Sequence, residues 1–235
     1  MRTLKLLLAG WMAITGIATT QAQTADEIVS KHIDAIGGAG NWKKITSIRK
    51  EGTFNVQGTD ITLVLTQLNQ KGLRQDISAA GTSGFIIITP TAGFSFLPFQ
   101  GQTEVTPLPA DAVKDGQEAM DVQGILLDYK TKGHAVELAG KETIDGVECF
   151  KLKITLNGGK VITDYIDSKN YYVVRHVATQ HVGGQEAEQT TNFSNFQKLP
   201  EGIVIPMSLS QQFDITFSKV EVNKPVDESI FKGDK

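Results

Sequence analysis

The sequence has very little cysteine. Its only cysteine is Cys149, and a single cysteine excludes a disulfide within the chain. Cys149 lies in the strand-like run 147–152, so we expect a small buried side chain rather than a reactive thiol. No cysteine lies directly after the N-terminal apolar segment, so we do not expect a lipid anchor there, and the mature protein should be free in solution.

An excess of positive charge is also missing. The chain carries a formal net charge of −3 at pH 7. Loss of an N-terminal segment containing Arg2 and Lys5 would make it more acidic still. Nucleic acids and anionic lipid surfaces attract basic proteins. The charge therefore argues against a nucleic-acid partner and against general adhesion to anionic membranes.

Motifs for catalysis or metal binding are absent from the sequence as well. It contains no G-x-S-x-G nucleophile elbow, no phosphate-binding loop and no H-E-x-x-H pair. His32 lies beside the apolar stripe of a helix, which favours a packing role. His176 and His181 are five residues apart, on opposite faces of a regular strand, without a third ligand at suitable spacing. We therefore predict no catalytic residues, no metal site and no cofactor.

What the N-terminus contains is a short basic start followed by a largely apolar run, residues 6–19, and then Thr20, Gln21 and Ala22. The run is shorter than the about 20 residues that span a membrane. We predict that residues 1–22 form a secretory signal cleaved near Ala22, placing the protein in the periplasm. The less favoured alternative is an uncleaved N-terminal anchor. Residues 23–235 are expected to form one domain.

Helical patterns occupy two regions. Thr24 and Glu27 have the spacing of a capping box, and apolar residues then recur at helical intervals until the glycine pair 37–38. A second short helix is expected around Trp42. Residues 109–129 carry a further apolar stripe of helical spacing and are predicted to be helical, although two glycines within them could divide the helix.

From residue 47 onward the apolar period is mainly two, which predicts strands. The Asp-Gly pair at 145–146 and the Asn-Gly pair at 157–158 are strong hairpin signals. One face of these strands is apolar and the other polar, as in an antiparallel sheet. The predicted fold is mainly β with α: one large antiparallel sheet curled into a half-open β-barrel, with helices covering the opening. A β-sandwich is the alternative. The predicted strands are residues 47–57, 60–69, 72–78, 83–88, 93–97, 134–144, 147–156, 160–166, 171–180, 186–197, 203–212 and 213–222.

Phenylalanine is concentrated in residues 93–99, directly after the apolar run 85–88. Two interpretations stand at this point: ordinary core packing, or residues that line or gate an apolar pocket. Inward-facing positions of the later strands would complete such a cavity. The predicted cavity residues are Phe85, Phe94, Phe96, Phe99, Leu152, Ile154, Ile205, Met207, Ile215 and Phe217.

Five groups of residues along the mature chain share a similarity to one family: residues 25–38 with Asn41 and Trp42, 138–152, 164–171, 202–206 and 222–231. Through them the mature chain resembles the periplasmic lipoprotein-carrier superfamily of LolA, LolB and LppX, especially its outer membrane lipoprotein-sorting branch. The resemblance implies a half-open barrel around an apolar cavity, with helices as its lid, that binds a lipid or lipoprotein acyl chain. The carrier's conserved arginine cannot be aligned with Arg49 or Arg74, so neither receives that role.

The function predicted from these features is a soluble periplasmic binding protein for a lipid or lipoprotein acyl chain. It would act as a carrier or chaperone in outer-membrane lipoprotein or lipid sorting. We expect a monomer without stable membrane insertion, which could also contact envelope proteins. The alternatives are a non-enzymatic envelope interaction module with a filled barrel and, less favoured, an envelope hydrolase built around His176.

Overall fold

The computed structural model describes residues 23–182 and 185–233. The predicted signal, residues 1–22, lies outside the described residues. The helices are α1 (Ala25–Ala35), α2 (Ala39–Trp42) and α3 (Ala110–Gly116). The strands are β1 (Ser47–Val56), β2 (Thr59–Leu68), β3 (Gly72–Ala79), β4 (Thr82–Ile88), β5 (Gly93–Phe96), β6 (Thr106–Pro107), β7 (Ala135–Ile144), β8 (Val147–Thr155), β9 (Val161–Asp167), β10 (Val173–Val182), β11 (Gln185–Lys198), β12 (Val204–Ser210) and β13 (Asp214–Val222). Short 3₁₀ turns occupy Pro98–Gln100, Gln117–Met120 and Glu228–Phe231.

Within the described ranges, all thirteen strands belong to one antiparallel sheet. Its order is β6-β5-β4-β3-β2-β1-β13-β12-β11-β10-β9-β8-β7, so β6 and β7 are its edges and the sheet is not closed. The pairing of β1 with β13 joins the two halves of the chain. The predicted fold, a mainly β, half-open barrel with helices, is confirmed, and each predicted strand agrees with the structure within two residues at either end.

Helix α1 begins as the sequence predicts. The Thr24 hydroxyl accepts from the Glu27 amide, and the Glu27 carboxylate accepts from the Thr24 amide. The reciprocal bonds satisfy two amides that a helix start leaves without partners. The helix buries Ile28, Val29 and Ile33 in the main core. Burying three such side chains favours docking of α1 by several kcal/mol, on the order of 2 kcal/mol each.

The sheet has two distinct faces. We call the face that carries Leu152 and packs against α1 the concave face, and the other the convex face. On β9 the concave side chains are Ile162, Asp164 and Ile166, all nearly inaccessible to solvent. Side chains alternate along a strand, and paired residues share a face. The register therefore assigns every strand residue to one of the two faces.

The prediction of a helix over residues 109–129 is only partly right. Helix α3 ends at Gly116, a 3₁₀ turn follows, and residues 121–129 form consecutive turns. Gly124 has φ +82°, a conformation that interrupts a right-handed helix. The turns direct Leu126, Leu127 and Tyr129 into the main core beside α1. A covering segment thus replaces the second half of the predicted helix.

The elbow between α1 and α2 is fixed to the hairpin that joins β11 to β12. The carbonyl of Ile36 accepts from the Trp42 indole at 2.9 Å and from the Val204 amide at 2.8 Å. The neighbouring residue Gly37 has φ +112°. A Cβ placed there would lie 2.2 Å from the Gly202 carbonyl oxygen. The close approach at Gly37 sets the position of α1 over the concave face.

Candidate functional site

The structure divides the ten predicted cavity residues between the two faces of the sheet. The concave group is part of the main core or packs against it, and consists of Leu152, Ile154, Ile205, Met207, Ile215 and Phe217. The convex group, Phe85, Phe94 and Phe96, belongs to a separate apolar cluster. Phe99, on the 3₁₀ turn after β5, is 37% exposed. The sequence pattern thus combined residues from two opposite faces.

The phenylalanine-rich strands β4 and β5 hold the C-terminal segment. Phe85 and Ile87 pack with Phe231, which lies in the last 3₁₀ turn. The guanidinium of Arg74 lies 4.5 Å from the Phe85 ring centroid and donates to the Ile230 carbonyl at 2.8 Å. These contacts give the convex phenylalanines a packing role, away from the concave face.

On the concave face, α1, Trp42 and the 121–129 segment lie over the sheet. They bury Leu152 and Ile154 completely. A cavity of about 350 Å³ remains beside them, and a smaller one of about 140 Å³ shares several of its walls. The lining of the larger cavity includes His32, Trp42, Ile48, Val173, Phe193 and Ile205. Residues from five separate parts of the sequence, 32–50, 67, 121–124, 173 and 193–206, therefore form one mostly apolar chamber.

A third cavity, a groove of about 430 Å³, runs between α1 and the 121–129 segment. Its walls include Val29, Ile33, Leu126 and Leu127. The Lys130 ammonium bonds the Asp26 carboxylate across this groove at 2.6 Å, and both side chains are more than half exposed. Exposed ion pairs hold weakly. The Lys130–Asp26 ion pair therefore adds little stability, and the 121–129 segment is held to α1 mainly by apolar packing and by the Tyr129 hydroxyl, which donates to Asp26.

His32 is buried in the inner wall of this region. Its Nδ1 donates to the Tyr171 carbonyl at 2.8 Å. Burial lowers the pKa of His32, outweighing the effect of that hydrogen bond and of the Asp164 charge. His32 is therefore a neutral packing residue near pH 7, in agreement with the role expected from its place on the helix.

Lys50 lies on the concave face of β1 and lines the 350 Å³ cavity. Its Nζ lies 5.2 Å from the Phe217 ring centroid. Burial lowers the pKa of Lys50 to about 8, because an apolar environment disfavours the charged form. The lysine still carries its proton for most of the time at pH 7. Lys50 was not among the predicted cavity residues, although its alternation with Ile48 places it on the apolar face of β1.

An acidic and basic cluster fixes the 3₁₀ turn at Gln117–Met120 to the sheet. His176 Nδ1 bonds Asp164 at 2.7 Å, and its Nε2 lies 3.8 Å from Glu118. Lys160 Nζ lies 3.2 Å from the same Glu118 oxygen. Burial alone would lower the pKa of His176, but Asp164 and Glu118 outweigh it and raise the pKa to about 10. His176 is therefore a cation at neutral pH.

His181 bonds a different acid, Asp115 of α3, at 3.0 Å. Both histidines of β10 therefore hold the α3 region. In the part of the chain that the structure describes, no group of three or more potential ligands is arranged to hold a metal ion. Cys149 is buried as expected, and burial raises the pKa of its thiol.

The fold has counterparts among solved structures. A LolA superfamily protein from Nitrosomonas europaea superposes with a TM-score of 0.56 at 14% identity, covering 90% of this chain and 98% of that one. The chain has the fold of the LolA superfamily. A domain from Vibrio parahaemolyticus, named for outer membrane lipoprotein sorting, gives 0.53 at 14% identity, with 87% and 94% covered.

A DUF1329 family protein from Desulfovibrio piger superposes with a TM-score of 0.54 at 13% identity, covering 88% of this chain and 97% of that one. No family model and no curated protein sequence matches the chain. The resemblance drawn from the sequence is thus confirmed for the fold. Within the described residues, no helix is both long and apolar enough to cross a membrane.

Proposed function

We propose that the protein binds an acyl chain of a lipid or lipoprotein in its concave cavity and carries it through the periplasm. The observation that carries the proposal is the mostly apolar chamber of about 350 Å³ between α1, the 121–129 segment and the sheet. Its size lies within the usual range of small-molecule sites, about 300–1,000 Å³. The LolA-type fold and the sorting function in the name of the Vibrio relative support the same class of ligand.

Completely buried apolar side chains lie under the same covering elements as the cavity. Leu152, Ile154 and Ile162 lie under α1 and the covering segment. Displacing the cover would extend the apolar surface available to a chain. The groove beside Asp26 and Lys130 supplies the entry route in this proposal, because it opens between α1 and the 121–129 segment and the exposed ion pair across it adds little stability.

The energetics explain why a carrier must shield its cargo. Transfer of one CH₂ group from water to an apolar site is worth about 0.8 kcal/mol, so a sixteen-carbon chain gains on the order of 12 kcal/mol gross. Part of this free energy offsets the cost of displacing the 121–129 segment from α1 and of ordering the acyl chain. The remaining free energy allows tight binding in water and release of the acyl chain at a membrane.

Enlarging Val173 tests the site directly. Val173 borders both concave cavities, so V173W would fill the space that the chain needs. We expect affinity for the fluorescent fatty acid cis-parinaric acid to fall at least about tenfold, equivalent to about 1.4 kcal/mol. The measurement is quenching of Trp42 emission as the probe binds, since Trp42 lines the same cavity. Probe fluorescence provides a second signal for the variant, which contains an added tryptophan.

The matched control is V147W, because Val147 on β8 is 36% exposed and lies outside the cavity lining. It should bind the probe as the wild type does. Thermal unfolding of both variants shows whether the fold is retained. Equal affinity in folded V173W and V147W, or absence of binding by the wild type, would reject the concave acyl site and favour an interaction module with a filled interior.

A further inference from the structure

The side chain of Lys50 places a positive charge at the apolar wall of the concave cavity. β1 pairs Lys50 with Leu65 on one side and Val220 on the other. The next concave position toward the start of β1 is Ile48, and the nearest aromatic ring is that of Phe217. A lysine at this point places an ammonium group among apolar side chains at the wall of the cavity. A charge in such surroundings is costly unless an opposite charge joins it.

The neighbouring charges on the convex face are arranged differently. Arg49 bonds both Glu51 and Glu221, and Lys219 lies 3.2 Å from each of those carboxylates. Lys50 has no such partner: within residues 23–182 and 185–233, no carboxylate lies within ion-pair distance of its Nζ. The charges on the convex face of β1 thus have ion-pair partners, whereas Lys50 on the concave face has none within the described residues.

The other ionisable groups of the cavity wall do not compensate Lys50. Asp121 lines the cavity, but Lys132 bonds its carboxylate at 2.5 Å. His32 is buried against the Tyr171 carbonyl and is neutral near pH 7. The wall therefore offers one positive charge without an ion-pair partner to a molecule that enters.

We propose that the cavity takes an amphiphile with an anionic head group, whose carboxylate or phosphate pairs with the Lys50 ammonium while its chain occupies the apolar space. The inference rests on the proposed function and defines the ligand class of the same site. A charge-assisted bond in a site shielded from water is stronger and shorter than a neutral one. The bound anion would also stabilise the protonated form of Lys50, which burial alone disfavours.

The test compares ligands that share a sixteen-carbon chain and differ in head group. Palmitic acid supplies a carboxylate, palmitoyl lysophosphatidic acid a phosphate, and hexadecanol neither. Affinities are measured by calorimetry, below the concentrations at which the ligands aggregate, for the wild type, K50M and K44M. Lys44 is exposed and lies outside the cavity lining, so K44M is the matched control.

We expect the wild type and K44M to bind at least one anionic ligand about tenfold or more tightly than hexadecanol. K50M should lose this preference and keep its affinity for hexadecanol. Its melting temperature without ligand should rise, because the substitution removes a charge from apolar surroundings. Simultaneous gain in stability and loss of head-group selectivity separates a ligand-binding role from a structural one.

The comparison between palmitic acid and the lysophosphatidic acid identifies which anionic group Lys50 receives. Equal binding of anionic and neutral ligands, unchanged in K50M, would overturn the head-group assignment and leave the acyl site standing. Failure of all three ligands to bind the wild type would overturn the acyl site, and the head-group assignment with it.

Discussion

Replacing His176 with leucine is expected to destabilise the protein by about 3 kcal/mol, because removing one partner of a buried ion pair leaves the other charge uncompensated. The remaining partner is Asp164, whose side chain is 5% exposed. It lies on the concave face between Ile162 and Ile166. The substitution also removes the cation next to Glu118. Urea-induced unfolding at pH 6.5 measures the change.

The effect of His176 on stability should depend on pH in one direction. The folded protein holds this proton up to about pH 10, whereas an unfolded histidine loses it near pH 6.5. The contribution is therefore complete below about pH 6.5 and is lost as pH rises toward 10. The difference between the wild type and H176L should shrink over that interval. A difference that grows with pH would contradict a protonated His176.

The control for H176L is H181L. His181 bonds Asp115 in a similar way, but its side chain is 32% exposed. Water reaches this pair, so its loss should have a small effect on the unfolding midpoint. If H181L were as unstable as H176L, general damage to β10 rather than burial of Asp164 would explain both results.

The second large effect is expected for G37A. The added methyl group would lie 2.2 Å from the Gly202 oxygen and 2.8 Å from the Ile203 Cα, at a backbone φ of +112°. Neither backbone group can move without separating the α1–α2 elbow from the β11–β12 hairpin. We expect a loss of about 3 kcal/mol or more, the sum of left-handed strain and steric overlap. Chemical unfolding of the purified variant measures it.

Gly38 provides a matched comparison for Gly37. It also has a positive φ, of +84°, but a Cβ there would meet nothing within 4 Å. G38A should therefore show the backbone strain alone, about 2 kcal/mol, because φ +84° with ψ 149° is a conformation that glycine adopts almost exclusively. The difference between the two variants isolates the contact with Gly202. Equal losses would mean that the elbow tolerates the methyl group and that the hairpin does not fix α1.

The strands could be predicted because most of them have one solvent-exposed face and one buried face. Phe150, Leu152 and Ile154 alternate clearly with the charged residues Lys151 and Lys153. The alternation of Ile203, Ile205 and Met207 with their neighbours is only partial. The face of the phenylalanines could not be predicted. Residues 85–88 are apolar at every position because β4 is covered on both sides, by α3 and by the C-terminal segment. A strand buried on both faces loses its alternation.

The cavity itself left no sequence pattern, because it forms where α1, Trp42, residues 121–124 and the middle strands meet. The apolar stripe in residues 121–129 correctly indicated that these side chains are buried. It could not distinguish a helix from consecutive turns, because side chains can reach the core from either. Lys50 was the available signal: it interrupts the inward-facing series of β1 between Ile48 and Phe54. A lysine in an apolar series is uncommon, because charged side chains are rarely buried without a partner. The signal segment and the periplasmic location stay predictions.

Photo-crosslinking the protein with a diazirine-labelled palmitic acid tests the acyl site most directly. Light attaches the probe to the residues beside its chain, and mass spectrometry of the peptides locates them. We predict adducts in residues 36–50, 121–124 and 193–206, which border the concave cavity, and their loss when unlabelled palmitic acid competes. Competed adducts confined to residues 85–99 and 226–231, the convex phenylalanine cluster and its C-terminal cover, would contradict the proposed site.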